Sequence, residues 1–422
     1  MRGGGHGISR RRLLAGTVLG ATALSAAPAR ALAGTGTRRA AAARSYTSGG
    51  HTVIAQPLAN ADGTHPLIQI RDVNRAGQVL GMIDAGDGAA PRWPAAIWAD
   101  GRVTVLPSPV EGAAACGATR INDRGQAAGQ YTVNGRSHAT VWTDGVPRVL
   151  DIGTYYSEAT ALNNAGQVGV HGFDQQGGDT APWNTACLVD GTAVTTVAAE
   201  TGIGVVPTEV NDRGEVLVFG AVPQSTTRGG FLWRDGAVVA DFTGIGGMPT
   251  YPSLQGIAGL DVRGDVVGDY DSPYGGPNPR VFLWRDGALT TVTGPDGSGI
   301  RVSDTSVRRA LNDAGDFVGV TTGTAGRRPF LWSNGVLTDI GTLGGRLAYP
   351  VGVNNGQQVA GISQRADGSY GAFLWRAGEM IDLTPPAGFD GVSVDAITEQ
   401  GDVLGSAYVA GSPGVYFRFT VL

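Results

Sequence analysis

Polar turns and large apolar anchors recur along this chain in a fixed phase. Eight times a turn of the form Asn-x-x-Gly, or a near variant, is followed 19 to 25 residues later by a bulky apolar side chain. The turns start at Asn74, Asn122, Asn163, Asn211, Asp261, Asn312, Asn354 and Thr398. Their anchors are Trp98, Trp142, Leu188, Trp233, Trp284, Trp332, Trp375 and Phe417. A self-similar unit of 41 to 51 residues points to a solenoid, array or propeller before any motif is considered.

The unit around Asn312 predicts four strands, over residues 307–311, 316–320, 329–332 and 336–340. Asn312-Asp313-Ala314-Gly315 turns between the first two, because Asx side chains bond nearby amides and Gly supplies positive φ. Ser333-Asn334-Gly335 turns between the last two, and Asp100-Gly101, Asp144-Gly145, Asp190-Gly191, Asp235-Gly236 and Asp286-Gly287 repeat that hairpin signal. Four short antiparallel strands per period make a propeller blade. The eighth unit supplies three strands, and residues 52–58, ahead of the first turn, read as the missing fourth. The expected fold is all-β: an eight-bladed propeller of four-stranded blades, its ring closed by the N-terminal strand, with seven blades as runner-up.

The repeat resembles a known family. Leu337-Thr338-Asp339-Ile340-Gly341-Thr342-Leu343-Gly344-Gly345 leads into Val353-Asn354-Asn355-Gly356 and Ala372-Phe373-Leu374-Trp375. That is similar to the HAF-type extracellular repeat, and Phe231-Leu232-Trp233, Phe282-Leu283-Trp284 and Phe330-Leu331-Trp332 match its third strand. The resemblance covers about residues 70–420, with the third, fifth and eighth units departing from it. It implies secretion and repeat architecture, and no defined activity.

The N-terminus agrees with secretion. Ser9-Arg10-Arg11-Arg12-Leu13-Leu14, a 15-residue apolar stretch from Leu13 to Ala27, and Ala31-Leu32-Ala33 fit a twin-arginine signal peptide over residues 1–33. That stretch is short of the roughly 20 residues a membrane helix needs. Residues 34–50 read as a flexible basic linker, and 51–422 as a single propeller domain. Loss of residues 1–33 removes five arginines and no acid, moving the formal charge from −5 to −10. With no basic stripe left, nucleic acid and anionic membranes are poor partners. An exported monomer meeting an extracellular carbohydrate or a cell-envelope protein is the expected setting.

Sites of chemistry are sparse. Gly-x-Ser-x-Gly, His-Glu-x-x-His and Walker patterns are absent. The Asn-Asp-x-Gly turns lack the acidic spacing of a calcium loop, so no metal and no cofactor are expected. Cys116 and Cys187 occupy non-equivalent positions and read as two buried small side chains. The repeat tryptophans read as core. The connections between strands two and three, and from strand four to the next blade, vary in length and share one face. Loops of that kind on a rigid scaffold carry function. Trp93, Trp183, Arg228, Arg327 and Tyr370 share one offset on that face, and aromatic planes with Arg donors suit sugars. Tyr155, Tyr156, Glu158 and Tyr251 add to it. The expectation that follows is a non-catalytic binding or scaffold propeller. The alternative is a secreted polysaccharide lyase or glycoside hydrolase using carboxylates, Tyr or Arg near the ring axis.

Overall fold

The structure is a computed structural model describing residues 42–422 apart from 86–92, 112, 114, 175–183, 201–203, 222–227, 243–244, 246–253, 273–275, 303–308 and 324–325. Among the described residues, the strands form eight antiparallel sheets, seven of four strands and one of five. Each sheet is an up-and-down meander, and consecutive sheets pack against one another until the eighth meets the first. This is a β-propeller of eight blades, numbered here by the turns from Asn74 (blade 1) to Thr398 (blade 8).

The ring closes as the sequence predicts. His51–Pro57 pairs antiparallel with Val415–Val421, giving blade 8 its fourth strand. A further strand corrects the expected linker: Arg44–Ser48 pairs with His51–Pro57 through the tight turn at Gly49 and Gly50, both at positive φ. Its side chains strap blade 8 to blade 7. Ser48 Oγ donates to Asp382 O at 2.5 Å, and the Tyr46 hydroxyl donates to Thr384 O at 2.9 Å. The Arg44 guanidinium lies 5.7 Å from the Phe389 ring centroid.

Three local features explain why the repeat folds this way. The hairpins at Asp100, Asp144, Asp235, Asp286 and Asn334 hold both central residues at positive φ, as at Asp100 (47°) and Gly101 (79°), which matches the right-handed strand twist. Six units carry Gly seven residues after the first turn residue. A Cβ there would sit 1.9–2.5 Å from the carbonyl oxygen of the inner strand opposite, as at Gly405 against Ser393 and Gly268 against Gly256. The anchors fill the seams between blades: Trp142 packs with Leu80 and Leu106 of blade 1, and Trp332 with Val267 and Val281 of blade 5. Trp98 and Trp142 are fully buried, and Trp284 is partly exposed beside Phe242 and Phe282. Burying one indole contributes about 4–6 kcal/mol at about 25 cal/mol per Å².

The turn asparagines also join the blades. Asn163 Oδ1 accepts from Gln167 N at 2.9 Å. Its Nδ2 donates to Gln167 Oε1 at 2.7 Å and, across the seam, to Asn211 O at 2.8 Å. Equivalent seam bonds run from Asn74, Asn122, Asn211, Asn312 and Asn354, all buried, to the backbone carbonyl of the next turn. Asp261 and Thr398 have no amide N–H to donate. The turns are structural seams, each buried asparagine bonding its own turn and the next blade.

Candidate functional site

The axis has two ends, and the inner strands differ at each. A β-bulge interrupts the first strand near its turn end in blades 1, 2, 3, 4, 5, 7 and 8, for example between Ile70 and Asp72 and between Pro207 and Glu209. Bulges re-aim side chains. Immediately after them, Asp72, Arg120 and Glu209 stand at one equivalent position, with small residues (Ala161, Gly259, Ala310, Gly352, Ala396) at the same place in the other blades. Asp72 Oδ2 accepts from Ile121 N at 2.9 Å, and Glu209 Oε2 from Leu260 N at 2.7 Å, so each carboxylate caps the next blade. Burial pushes the Glu209 carboxyl up to about 7, against the opposing pull of the Leu260 amide and of Arg120 and Arg309. Burial raises Asp72 as well.

Below this cluster, ion pairs cross the turn-side mouth. Arg75 of blade 1 reaches Asp313 of blade 6 along a chord of the ring. Arg309 pairs with Glu399 of blade 8 at 2.8 Å, and Asn355 Nδ2 donates to Asp313 at 2.8 Å. The Arg75 and Arg309 pairs span the mouth between non-adjacent blades, and the Asn355 bond joins the neighbouring blades 6 and 7.

On that face, side chains of blades 2 and 3 assemble into one polar and aromatic cluster. The Arg136 guanidinium lies 3.7 Å from the Tyr155 ring centroid. Tyr155 meets Tyr156 edge-on at 4.7 Å, Tyr156 stacks on Phe173 at 4.6 Å and 11°, and Phe173 neighbours His171 at 5.7 Å. Glu158 and His171 are direct cross-strand partners, so their side chains share one face of blade 3. Gln130 of blade 2 donates to Glu158 Oε1 at 3.1 Å. His171 Nε2 lies 3.2 Å from Asn184 Oδ1 and donates to it, leaving the lone pair on Nδ1. Burial lowers the His171 pKa, while Asn184 and the Glu158 charge pull the other way. Burial thus favours the uncharged imidazole, a proton acceptor set across the strand pair from Glu158 with stacked aromatic rings alongside. Asp174, the second acid nearby, accepts the Tyr155 amide at 2.5 Å.

The residues singled out by their common offset are dispersed. Trp93 and Tyr370 are half exposed, at 49% and 47%, before or at the third strand of blades 1 and 7. Arg228 opens the third strand of blade 4. Arg327 lies over Tyr349 of blade 7, 5.6 Å from its ring centroid. Trp183 and Tyr251 lie outside the described residues. The third strand stands two strand spacings, about 10 Å, out from the axial strand, and the set is spread over blades 1, 4, 6 and 7. Of the remaining candidates, Tyr155, Tyr156 and Glu158 do meet, joined by His171, Phe173, Asn184 and Arg136, which the sequence reading left out. Cys116 and Cys187 are free, buried thiols, and burial pushes Cys116 up to about 11.

No protein-family model matches the chain, and no curated protein matches it. Solved structures do. Dipeptidyl peptidase 4 of Porphyromonas gingivalis aligns with TM-score 0.52 and 10% identity over 87% of this chain and 64% of its own. The β-propeller domain of the Trilobed protease from Pyrococcus furiosus gives 0.45 and 14%, covering 76% of this chain and 96% of that one. Oligogalacturonate lyase from Vibrio parahaemolyticus gives 0.45 and 11%, covering 82% and 98%. This chain thus spans less than two thirds of the peptidase. At such identities the likeness concerns the fold. The expectation of a non-catalytic binding or scaffold propeller is nonetheless corrected here: the same ring shape is found in a peptidase at TM-score 0.52, so a regular ring without nucleophile motifs is no mark of an inert scaffold.

Proposed function

We propose that the protein cleaves glycosidic bonds at the side-chain cluster of blades 2 and 3 on the variable face. One observation carries this: His171, bonded to Asn184 at 3.2 Å, is the cross-strand partner of Glu158 beside the stacked rings of Tyr156 and Phe173. Sugars stack on such rings through their C–H faces. His171 Nδ1 accepts a proton from the water that attacks the anomeric carbon, and the imidazolium so formed returns it to the departing sugar oxygen as the C–O bond breaks; Asn184 positions the ring and Glu158 balances its transient charge. General acid–base catalysis of this kind contributes about 10²–10⁴-fold. On the reading of residues 1–33 as an export signal, the substrate is an extracellular polysaccharide. Appearance of the processed chain outside the cell, lost on Arg10→Lys with Arg11→Lys, tests that part.

The central test is turnover of a polysaccharide panel. Wild type is expected to cleave at least one member, with the rising limb of its pH profile below the ordinary histidine value because the imidazole is held neutral. His171→Gln is expected to lose about 10²-fold or more in kcat with its melting temperature kept. Equal turnover by wild type and His171→Gln would sink the assignment.

A further inference from the structure

Blade 5 interrupts both rings of bonds that run around the turn face. The first ring is the seam bond from each turn asparagine to the next turn carbonyl, and the Asp261 carboxylate has no N–H to send to Asn312. The second ring joins the residues one place further on. Asn164 Oδ1 accepts from Asp123 N at 2.8 Å, and its Nδ2 donates to Asp123 and to Asp212, each at 3.0 Å. Asn355 Oδ1 accepts from Asp313 N and its Nδ2 donates to Asp313, both at 2.8 Å, while its amide N donates to Glu399 at 2.9 Å. Acid and amide thus alternate from Asp123 to Glu399. The amide place between Asp212 and Asp313 is held by Val262, whose side chain neither donates nor accepts.

Neighbouring seams are tied by other means. Where Thr398 breaks the first ring, Gln400 Nε2 donates to Arg75 O at 2.7 Å, and Leu58 N donates to Tyr416 O at 2.9 Å as the chain passes from blade 8 to blade 1. Blades 6 and 7 share backbone bonds, Val353 N to Arg309 O at 3.1 Å and Ala348 N to Arg327 O at 2.9 Å. Between blades 5 and 6, polar groups are instead left over. Among the described residues, three buried side-chain atoms lack a hydrogen-bond partner: Arg285 Nη2, Thr322 Oγ1 and Glu399 Oε1. Glu399 has its ion pair with Arg309. Arg285 Nη2 lies against Gly315 of blade 6, and Thr322 Oγ1 lies beside Gly299, on which Pro279 of blade 5 packs. A buried donor without a partner disfavours the closed form, because water would satisfy it.

We propose that the closed ring opens at the turn-side end of the seam between blades 5 and 6, hinged on the Asp269–Arg301 pair. That pair, at 3.1 Å with Asp269 fully buried, joins the seam away from the turns, since Arg301 lies at the start of its inner strand. The apolar cluster that Val267 and Val281 share with Ile300 and Val302 holds the same end. Blade 6 is bound to blades 1 and 8 through Asp313 and Arg309, so it stays with that arc while blade 5 moves. Opening lets water reach Arg285 Nη2 and breaks neither ring of bonds, because both are already interrupted there. Local openings of this kind occur where the fewest bonds must be given up.

Native-state hydrogen exchange of the full chain tests this, read on peptides spanning residues 259–265 and 309–317 and, for comparison, 161–167 and 209–215. The first pair is expected to exchange about tenfold faster than the second, with little dependence on denaturant. Asp261→Asn with Val262→Asn rebuilds both rings and should slow that exchange about tenfold while leaving blades 3 and 4 unchanged. Asn163→Asp with Asn164→Val copies the interruption into blade 3. It should speed exchange at 161–167 and 209–215 about tenfold, whether or not the rebuilt chain folds. Equal exchange at the two pairs in the wild type overturns the proposal. So does fast exchange that persists in the folded rebuilt chain, or exchange at 259–265 as dependent on denaturant as global unfolding. A copied interruption that lowers overall stability without speeding exchange at its own seam overturns it as well.

Discussion

The two faces of this ring use the same residue types to opposite ends. On the turn face, polar groups are spent on one another. Asn163 makes all three of its side-chain bonds inside the scaffold, and Arg75 and Arg309 find Asp313 and Glu399 across the mouth. On the variable face, the Arg136 guanidinium is on an aromatic ring, and His171 retains a lone pair beside Glu158. Regularity explains the contrast. A group repeated eight times at one place can satisfy its neighbour by symmetry, whereas a group found once must meet something the repeat does not provide.

The comparison predicts that turn-face changes move stability and leave cleavage alone. Asn163→Ala removes the bonds to the Gln167 amide, the Gln167 side-chain oxygen and the Asn211 carbonyl, and should destabilise by about 3 kcal/mol at about 1 kcal/mol per bond. Denaturant unfolding measures this. A loss under about 1 kcal/mol would mean that water replaces the seam bonds, and that the turn face is less closed than its geometry indicates.

Glu209 gives a pH test of the axis. Its folded pKa, about 7, is above the unfolded value near 4.5, so the native state holds the extra proton between them. Stability from this group is therefore full below about pH 4.5 and falls as pH rises through about 7. The total is roughly 3 kcal/mol at most, at about 1.4 kcal/mol per unit. Glu209→Gln should flatten that part of the stability–pH curve, because the amide keeps a hydrogen-bonding group at Leu260 without titrating. An unchanged slope would show that Arg120 and Arg309 hold Glu209 ionised.

The smallest effect concerns a break in the seam. Asp261 cannot donate to the Asn312 carbonyl, and its carboxylate is pushed up by burial and by the Asp265 charge beside it. Asp261→Asn restores the missing donor and removes that repulsion, while weakening the pairing with the half-exposed Arg263. The net expectation is a gain of about 1 kcal/mol, read as a higher denaturation midpoint without change in slope. A loss would show that Arg263 matters more at this seam than the Asn it stands in for.

Much of the scaffold was legible in the sequence because each element carries a local reason. Asp-Gly and Asn-Gly pairs specify their hairpins, the Trp anchors are apolar and periodic, and the closing strand aligns with its counterparts. The strap at Arg44–Ser48 was not legible, since Tyr46 and Ser48 find their partners at Thr384 and Asp382, more than 330 residues away in sequence. The candidate site was half legible. Tyr155, Tyr156 and Glu158 stand out from the repeat, but His171 has no telling neighbour in sequence. A signal was there: the equivalent second-strand positions hold Met82, Gln130, Phe219, Asp269, Val320, Ile362 and Ser406, so the repeat leaves this place open. Trp93 and Tyr370 shared an offset, yet equal position in a repeat means equal radius, and at the third strand that keeps side chains of different blades apart.

What the sequence determined alone is the blade: its turns, its seams and the number of copies, all set by short-range backbone chemistry repeated along the chain. What only the tertiary structure decided is which unlike residues meet. Closing eight blades into a ring brings Arg75 to Asp313, Asp72 toward Arg120 and Glu209, and Arg136 onto Tyr155, pairings governed by angle around an axis that no spacing along the chain encodes.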